Sequence, residues 1–177
     1  GYVEDIIAPM SRGLRGFQRR NDMLIGGEYL GHEWVTSMGY FCGHFTAPMF
    51  GIAPSQRMEF VRFGEFHRME SGKIVQSQVF LGLAELIIAM GRWPLAPSPG
   101  YEGLVPGPVT HDGIVLSSSD AATSRASGDL VEAMLMHLTS PDALWRKYWH
   151  DDMIWYGPGG FGSYVSVDAF QAFQTPF

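Results

Sequence analysis

The chain has 177 residues, of which 46% are apolar and 17% charged, with a net charge of -6. That is long enough for a sizeable core, and the composition excludes a disordered polymer. The acidic balance leaves no basic stripe to displace counterions, so nucleic acid is not an expected partner.

Apolar residues never run on for the roughly eighteen positions that a membrane helix needs, so no membrane partner is expected either. The single Cys42 excludes an intrachain disulfide and a cysteine-rich metal site, and fits a reducing, cytoplasmic setting. His32, His44 and His150 are scattered without ligand spacing, so no metal is expected.

In chain order, Val3 to Gly16 carries Ile6, Ile7, Met10 and Leu14 at helical spacing, with Pro9 as a kink or new turn. The basic cluster from Arg12 to Arg20 reads as a solvated helix end. Asp22 to Tyr29 reads as a strand. After a short turn, Glu33 to Phe45 reads as a long aromatic and β-branched strand. Gly39 and Gly43 within it point to bulges that bend a sheet. Thr46 to Gln56 is a Pro/Gly loop. Arg57 to Met69 and Lys73 to Leu81 form a hairpin around Glu70-Ser71-Gly72. Leu83 to Met90 closes this half as a short helix.

The composition then changes. Pro94, Pro97, Pro99, Pro106 and Pro108 open a Pro/Gly/Ser-rich connector over 92–127, longer than connections inside a compact domain usually are. Asp129 to Leu138 returns to helical spacing. Ser140-Pro141-Asp142 reads as a helix start, with Ser at the cap and Pro at the first position. Met153 to Tyr156 is a short strand, GPGGFGS a glycine-rich turn without phosphate-loop spacing, and Val165 to Phe177 another helix. Both ends fall in helix-like sequence, so Gly1 reads as a cloning scar and the chain as a piece of a longer protein.

The chemistry-bearing pair is Glu65 and His67. Two residues apart on a strand, they share a face with Val61 and Phe63, an interior one. A carboxylate and an imidazole on an apolar wall can move a proton, and the wall would raise the carboxyl pKa towards that task. The same pair also reads as a buried polar contact with no chemistry.

Several stretches resemble one family. GIAPSQR is similar to the GIPPTGK loop of SnoaL-like polyketide (ester) cyclases, within the nuclear transport factor 2-like superfamily. FHRMESGKIVQSQ resembles that family's strand–turn–strand motif, and YWHDDMIWYGPGG the first-strand region of its tandem-repeat members. The resemblance implies an α+β, cone-shaped fold, a curved antiparallel sheet wrapped by helices, with its elements in permuted order. Residues 1–91 would supply one helix and the four-stranded sheet. Residues 128–177 would supply the leading helices and first strand, closing in cis or by swapping between chains. It further implies a homodimer, an apolar small-molecule ligand and cofactor-independent acid–base chemistry of cyclase, isomerase or hydrolase type. His67 matches the family's strand histidine and Glu65 a frequently acidic position. Tyr40, Phe63, Trp155 and Tyr156 would shape the pocket, and Glu28 is a reserve carboxylate. The family's second acid would fall at Gly82, which has no proton to give. That departure favours the alternative, a non-catalytic ligand-binding or dimerisation module.

Overall fold

The computed structural model describes residues 1–140 and 142–176. The protein is α+β, with an open four-stranded antiparallel sheet and several helices. It divides into two compact units. The first comprises Gly1–Pro97, Glu102–Leu116 and Pro158–Gly160; the second comprises Ser98–Tyr101, Ser117–Gly157 and Phe161–Phe177.

The first unit opens with a π-helical turn at Val3–Ile7 that runs into α1 (Ala8–Gly13). Pro9 sits in the first turn of α1, where its missing N–H leaves no bond unmade. Four strands follow: β1 (Leu14–Tyr29), β2 (His32–Phe45), β3 (Met58–Glu70) and β4 (Lys73–Leu81), in the spatial order of the sequence. The β3–β4 turn places Ser71 and Gly72 at φ 50° and 72°, which the glycine accommodates without strain. Helix α2 (Leu83–Ala89) then buries Leu86 among Met10, Leu14, Phe41, Phe45, Val61 and Phe63.

Strand β1 begins at Leu14, so the basic cluster is not a helix end: Arg15, Arg19 and Arg20 are strand residues. The β1–β2 register slips twice, between Arg15 and Gln18 and between Asn21 and Met23. Each slip inserts one residue and moves later side chains to the opposite face. At the first, Gly16 takes φ 74° and lies across from the Gly43 region. At the second, Gly39 faces Asn21 so closely that an added Cβ would lie 1.9 Å from the Arg20 carbonyl oxygen. The two glycines of β2 therefore mark bulges, but the extra residues lie in β1.

The connector is not featureless. Val105 exchanges two bonds with the Tyr40 hydroxyl, which accepts from its N–H at 3.1 Å and donates to its carbonyl at 3.2 Å. Ile114 makes a parallel bridge to Leu24, with the Leu24 N–H donating to the Gly113 carbonyl and the Val115 N–H to the Leu24 carbonyl. Residues 102–116 thus form a strap that runs from Tyr40 on β2 to the outer edge of β1 at Asp22 and Leu24.

In the second unit, α3 (Ala121–His137) starts eight residues ahead of the expected Asp129, because the Asp120 carboxylate caps it through the Thr123 N–H. Pro141, part of the expected Ser140-Pro141-Asp142 start, lies outside the described residues. A 3₁₀ helix begins instead at Leu144 (Leu144–Tyr148), and the Ser140 hydroxyl donates to the His137 carbonyl. A two-residue hairpin follows, β5 (Ile154–Trp155) with β6 (Tyr164–Val165), and then α4 (Val167–Gln174). Trp145, Val167 and Phe170 form the core, with Trp149, Trp155, Tyr164 and Phe173 packed around them.

Gly39→Ala is expected to lower stability by about 2 to 3 kcal/mol, since the methyl would meet fixed backbone. Gly64→Ala on β3, with nothing within 4 Å of its Cβ position, should change it by no more than about 0.5 kcal/mol. Urea unfolding of both variants beside the wild type checks the contrast; equal losses would mean that the β1–β2 approach is slack.

Candidate functional site

Strand β3 alternates as its sequence requires. Val61, Phe63, Glu65 and His67 are buried on one face, while Phe66 between them is exposed. Glu65 has no solvent exposure. A carboxylate cannot stay ionised there without partners, and four side chains supply them. Arg19 Nη2 lies 2.7 Å from Glu65 Oε2, the Ser37 hydroxyl donates to the same oxygen at 3.3 Å, and His67 Nε2 is 3.3 Å from it. The Tyr2 hydroxyl donates to Oε1 at 2.7 Å.

Arg19 ties these partners together. Its Nη1 donates to the Tyr2 hydroxyl at 2.9 Å, its Nη2 to the Ser37 hydroxyl at 2.7 Å and its Nε to Asn21 Oδ1 at 2.9 Å. Its guanidinium lies over the Phe63 ring, 4.2 Å from the centroid, an arrangement that suits a flat, weakly hydrated cation. Arg19 reaches this face because of the first bulge. The register has it opposite Phe41; one residue out, it would face Tyr40 and point the other way.

The charge balance follows. Burial pushes the Glu65 carboxyl up, but the hydrogen bonds from Arg19 and Tyr2 and the Arg19 charge outweigh it and hold the group below its ordinary value of 4.5. The expected upward shift does not occur, so Glu65 is a fixed anion and a weak base. The Tyr2 phenol is pushed up to about 12, by burial first and then by Glu65.

His67 is held at both nitrogens: Nε2 by Glu65 and Nδ1 by the Ser77 hydroxyl at 2.9 Å. With Nε2 protonated towards the carboxylate, Nδ1 accepts from Ser77. The Tyr2 ring stands edge-on to the imidazole at 5.2 Å. Tyr2 and Ser77 also line an open groove of about 670 Å³ between the Val3–Ile7 turn and β4, walled by Val3, Ile6, Ile74 and Val79. The site thus runs from a buried ion pair through an imidazole to a hydroxyl at the surface.

Of the residues singled out from sequence, Glu65, His67 and Phe63 come together here. Tyr40 is on the opposite face of the sheet, edge-on to Phe60 and bonded to Val105. Glu28 is exposed near the far end of β1 and lines a separate groove of about 460 Å³ on that opposite face, with Trp34 and Phe66. Trp155 and Tyr156 belong to the second unit, where Trp155 packs on Phe170 and Phe173. Arg19, Tyr2, Ser37 and Ser77 were not anticipated. A buried carboxylate demands a cation, and that demand was the available signal, but the bulge hides which arginine answers it.

The glycine at the expected second acid position has a structural reason. An added Cβ at Gly82 would lie 2.5 Å from Glu85 Oε2, and Glu85 is paired with Arg62. Glu85 thus fills with a carboxylate the space that a side chain at Gly82 would enter. Burial raises its pKa, which Arg62 offsets only in part. Among the described residues, no three His, Cys, Asp or Glu side chains are grouped to hold a metal, and no helix is long and apolar enough to cross a membrane.

Comparison with family models, curated proteins and solved structures gives no match for this chain.

Arg19→Met is expected to cost about 3 to 5 kcal/mol at pH 7, because it leaves the Glu65 charge buried and uncompensated. The pH dependence should also invert. In the wild type, Glu65's stabilisation is complete above its ordinary 4.5 and is lost as pH falls from there through the lower folded-state value. In the variant, protonation relieves the buried charge, so stability should rise as pH falls from 7 to 5. Urea midpoints across that range report it; parallel pH profiles would show that Arg19 does not stabilise the anion.

Proposed function

We propose that the first unit binds an apolar carbonyl compound in the groove beside β4 and moves a proton on it by cofactor-independent acid–base chemistry of the SnoaL-like cyclase type. The observation that carries this is the position of His67, held by an ionised Glu65 on one side and joined through Ser77 to the groove on the other. Glu65 orients the imidazole and balances its positive charge, and His67 is the proton carrier. The cone-shaped nuclear transport factor 2-like architecture, in permuted order, belongs to the same proposal; the four-stranded antiparallel sheet and its flanking helices support it.

A second reading is a non-catalytic ligand-binding or dimerisation module of that fold. The saturation of the site supports it, since both nitrogens of His67 and both oxygens of Glu65 already have protein partners. Phe66 and Phe80, exposed and edge-on to each other on the opposite face, support a homodimer through the sheet.

The readings separate on proton transfer. Under the first, wild type should be thermally stabilised by 1-indanone and should catalyse deuterium exchange at its α-carbon, followed by NMR. His67→Ala should lower that exchange at least about 100-fold while remaining folded. Stabilisation without exchange in either protein would favour the binding module. Equal exchange in both would remove His67 from the chemistry.

A further inference from the structure

Ser77 stands where the polar network meets the groove. It is half-buried on β4, directly across from His67 in the β3–β4 register. Its hydroxyl is 2.9 Å from His67 Nδ1, and His67 Nε2 is 3.3 Å from Glu65 Oε2. A hydroxyl within reach of a base, with that base oriented by a buried carboxylate, is the arrangement that activates a serine for attack on an acyl carbon. The order of the two ring nitrogens is the reverse of that in the chymotrypsin-type triad, but either nitrogen can take the proton.

We propose that Ser77 is a nucleophile, and that the groove beside β4 cleaves small neutral carboxylic esters through an acyl–serine intermediate. This rests on the reading of His67 as proton carrier. Ser77 Oγ attacks the ester carbonyl carbon, and its proton passes to His67 Nδ1. The imidazolium so formed keeps its Nε2–H on Glu65, whose charge balances it. Collapse of the tetrahedral adduct breaks the bond to the alkoxy oxygen, which takes the proton from Nδ1 and leaves as the alcohol. Water then attacks the acyl–serine and gives its proton to Nδ1. The acid is released as the tetrahedral adduct collapses, and Ser77 takes the water-derived proton from the imidazolium.

Four features favour this serine and this substrate class. Ser37, the other hydroxyl in the network, is buried and committed to Arg19 and Glu65, so it cannot meet a ligand. Strand β4 is an edge of the sheet, so half of its backbone N–H groups have no neighbouring strand and are available to an oxyanion. Val3, Ile6, Ile74 and Val79 offer the groove an apolar wall for an acyl chain. Glu4 and Asp5 make its rim negative, which selects a neutral ester and repels the carboxylate product.

The test treats the full chain with an alkyl fluorophosphonate, reads the adduct by intact mass and peptide mapping, and follows hydrolysis of p-nitrophenyl butyrate in parallel. Wild type should carry one adduct, at Ser77, and turn over the ester. Ser77→Ala should carry none and lose turnover, and His67→Ala should be labelled at least about 100-fold more slowly. Urea midpoints confirm that both variants are folded. An unlabelled wild type, or an adduct at another residue, overturns the proposal. If wild type is unlabelled but still exchanges the α-deuterium of 1-indanone in a His67-dependent way, only the nucleophile falls. If neither reaction occurs, the acid–base reading falls with it.

Discussion

The first unit is organised around one ion pair. Glu65 lies on the apolar face of β3 with no exposure to water, and Arg19 from β1 meets it at 2.7 Å. Such a pair contributes little net stability over an apolar one, because both charges must leave water. Its effect is to fix geometry. An unmatched carboxylate at that depth would be so costly that the alternatives in which Arg19 points elsewhere are removed. Tyr2 and Ser37 fill the remaining lone pairs, and the Val3–Ile7 turn, β1 and β2 are held against β3 by one carboxylate.

The same pair decides how the polar groups around it divide their roles. A carboxylate in an apolar pocket without a cation would be a base of raised pKa; beside a guanidinium it is a fixed negative charge. The imidazole of His67 then has a fixed negative charge on one side and the Ser77 hydroxyl on the other. The sheet supports this division. Two bulges bracket Arg19: one turns it inward, and the next returns the inward–outward alternation beyond it to its first phase while shifting the pairing by a further residue. The irregular part of the sheet is the part that equips the site.

Much of this was legible in the sequence where local rules act alone. The alternation Val61, Phe63, Glu65, His67 placed an acid and a base on one buried face, and Ser71-Gly72 placed the hairpin turn. Arg19 was not legible, because its face depends on a single inserted residue upstream and an exposed charge run is the ordinary fate of clustered arginines. Tyr2 lies 63 positions from its partner, and no periodicity reports such a contact. What the connector lies against was not legible for a related reason: proline and glycine describe how a segment cannot fold by itself, not what it can pack on. In the sequence Ser77 is one polar residue in an alternating strand; only the cross-strand register gives it His67 as a neighbour.

The strap has an effect on solubility. β1 is an outer strand, and a bare outer strand offers a row of unpaired amides to any other chain. At Leu24 that row is covered by Ile114, and Gly107 and Gly113 lie so close to Asp22 that a side chain at either position would collide with it. The segment therefore works as an edge guard. A chain nicked or loosened between Val105 and Val115 would keep its sheet and its ion pair yet expose a template for sheet-to-sheet growth, turning a local opening into a route to aggregation.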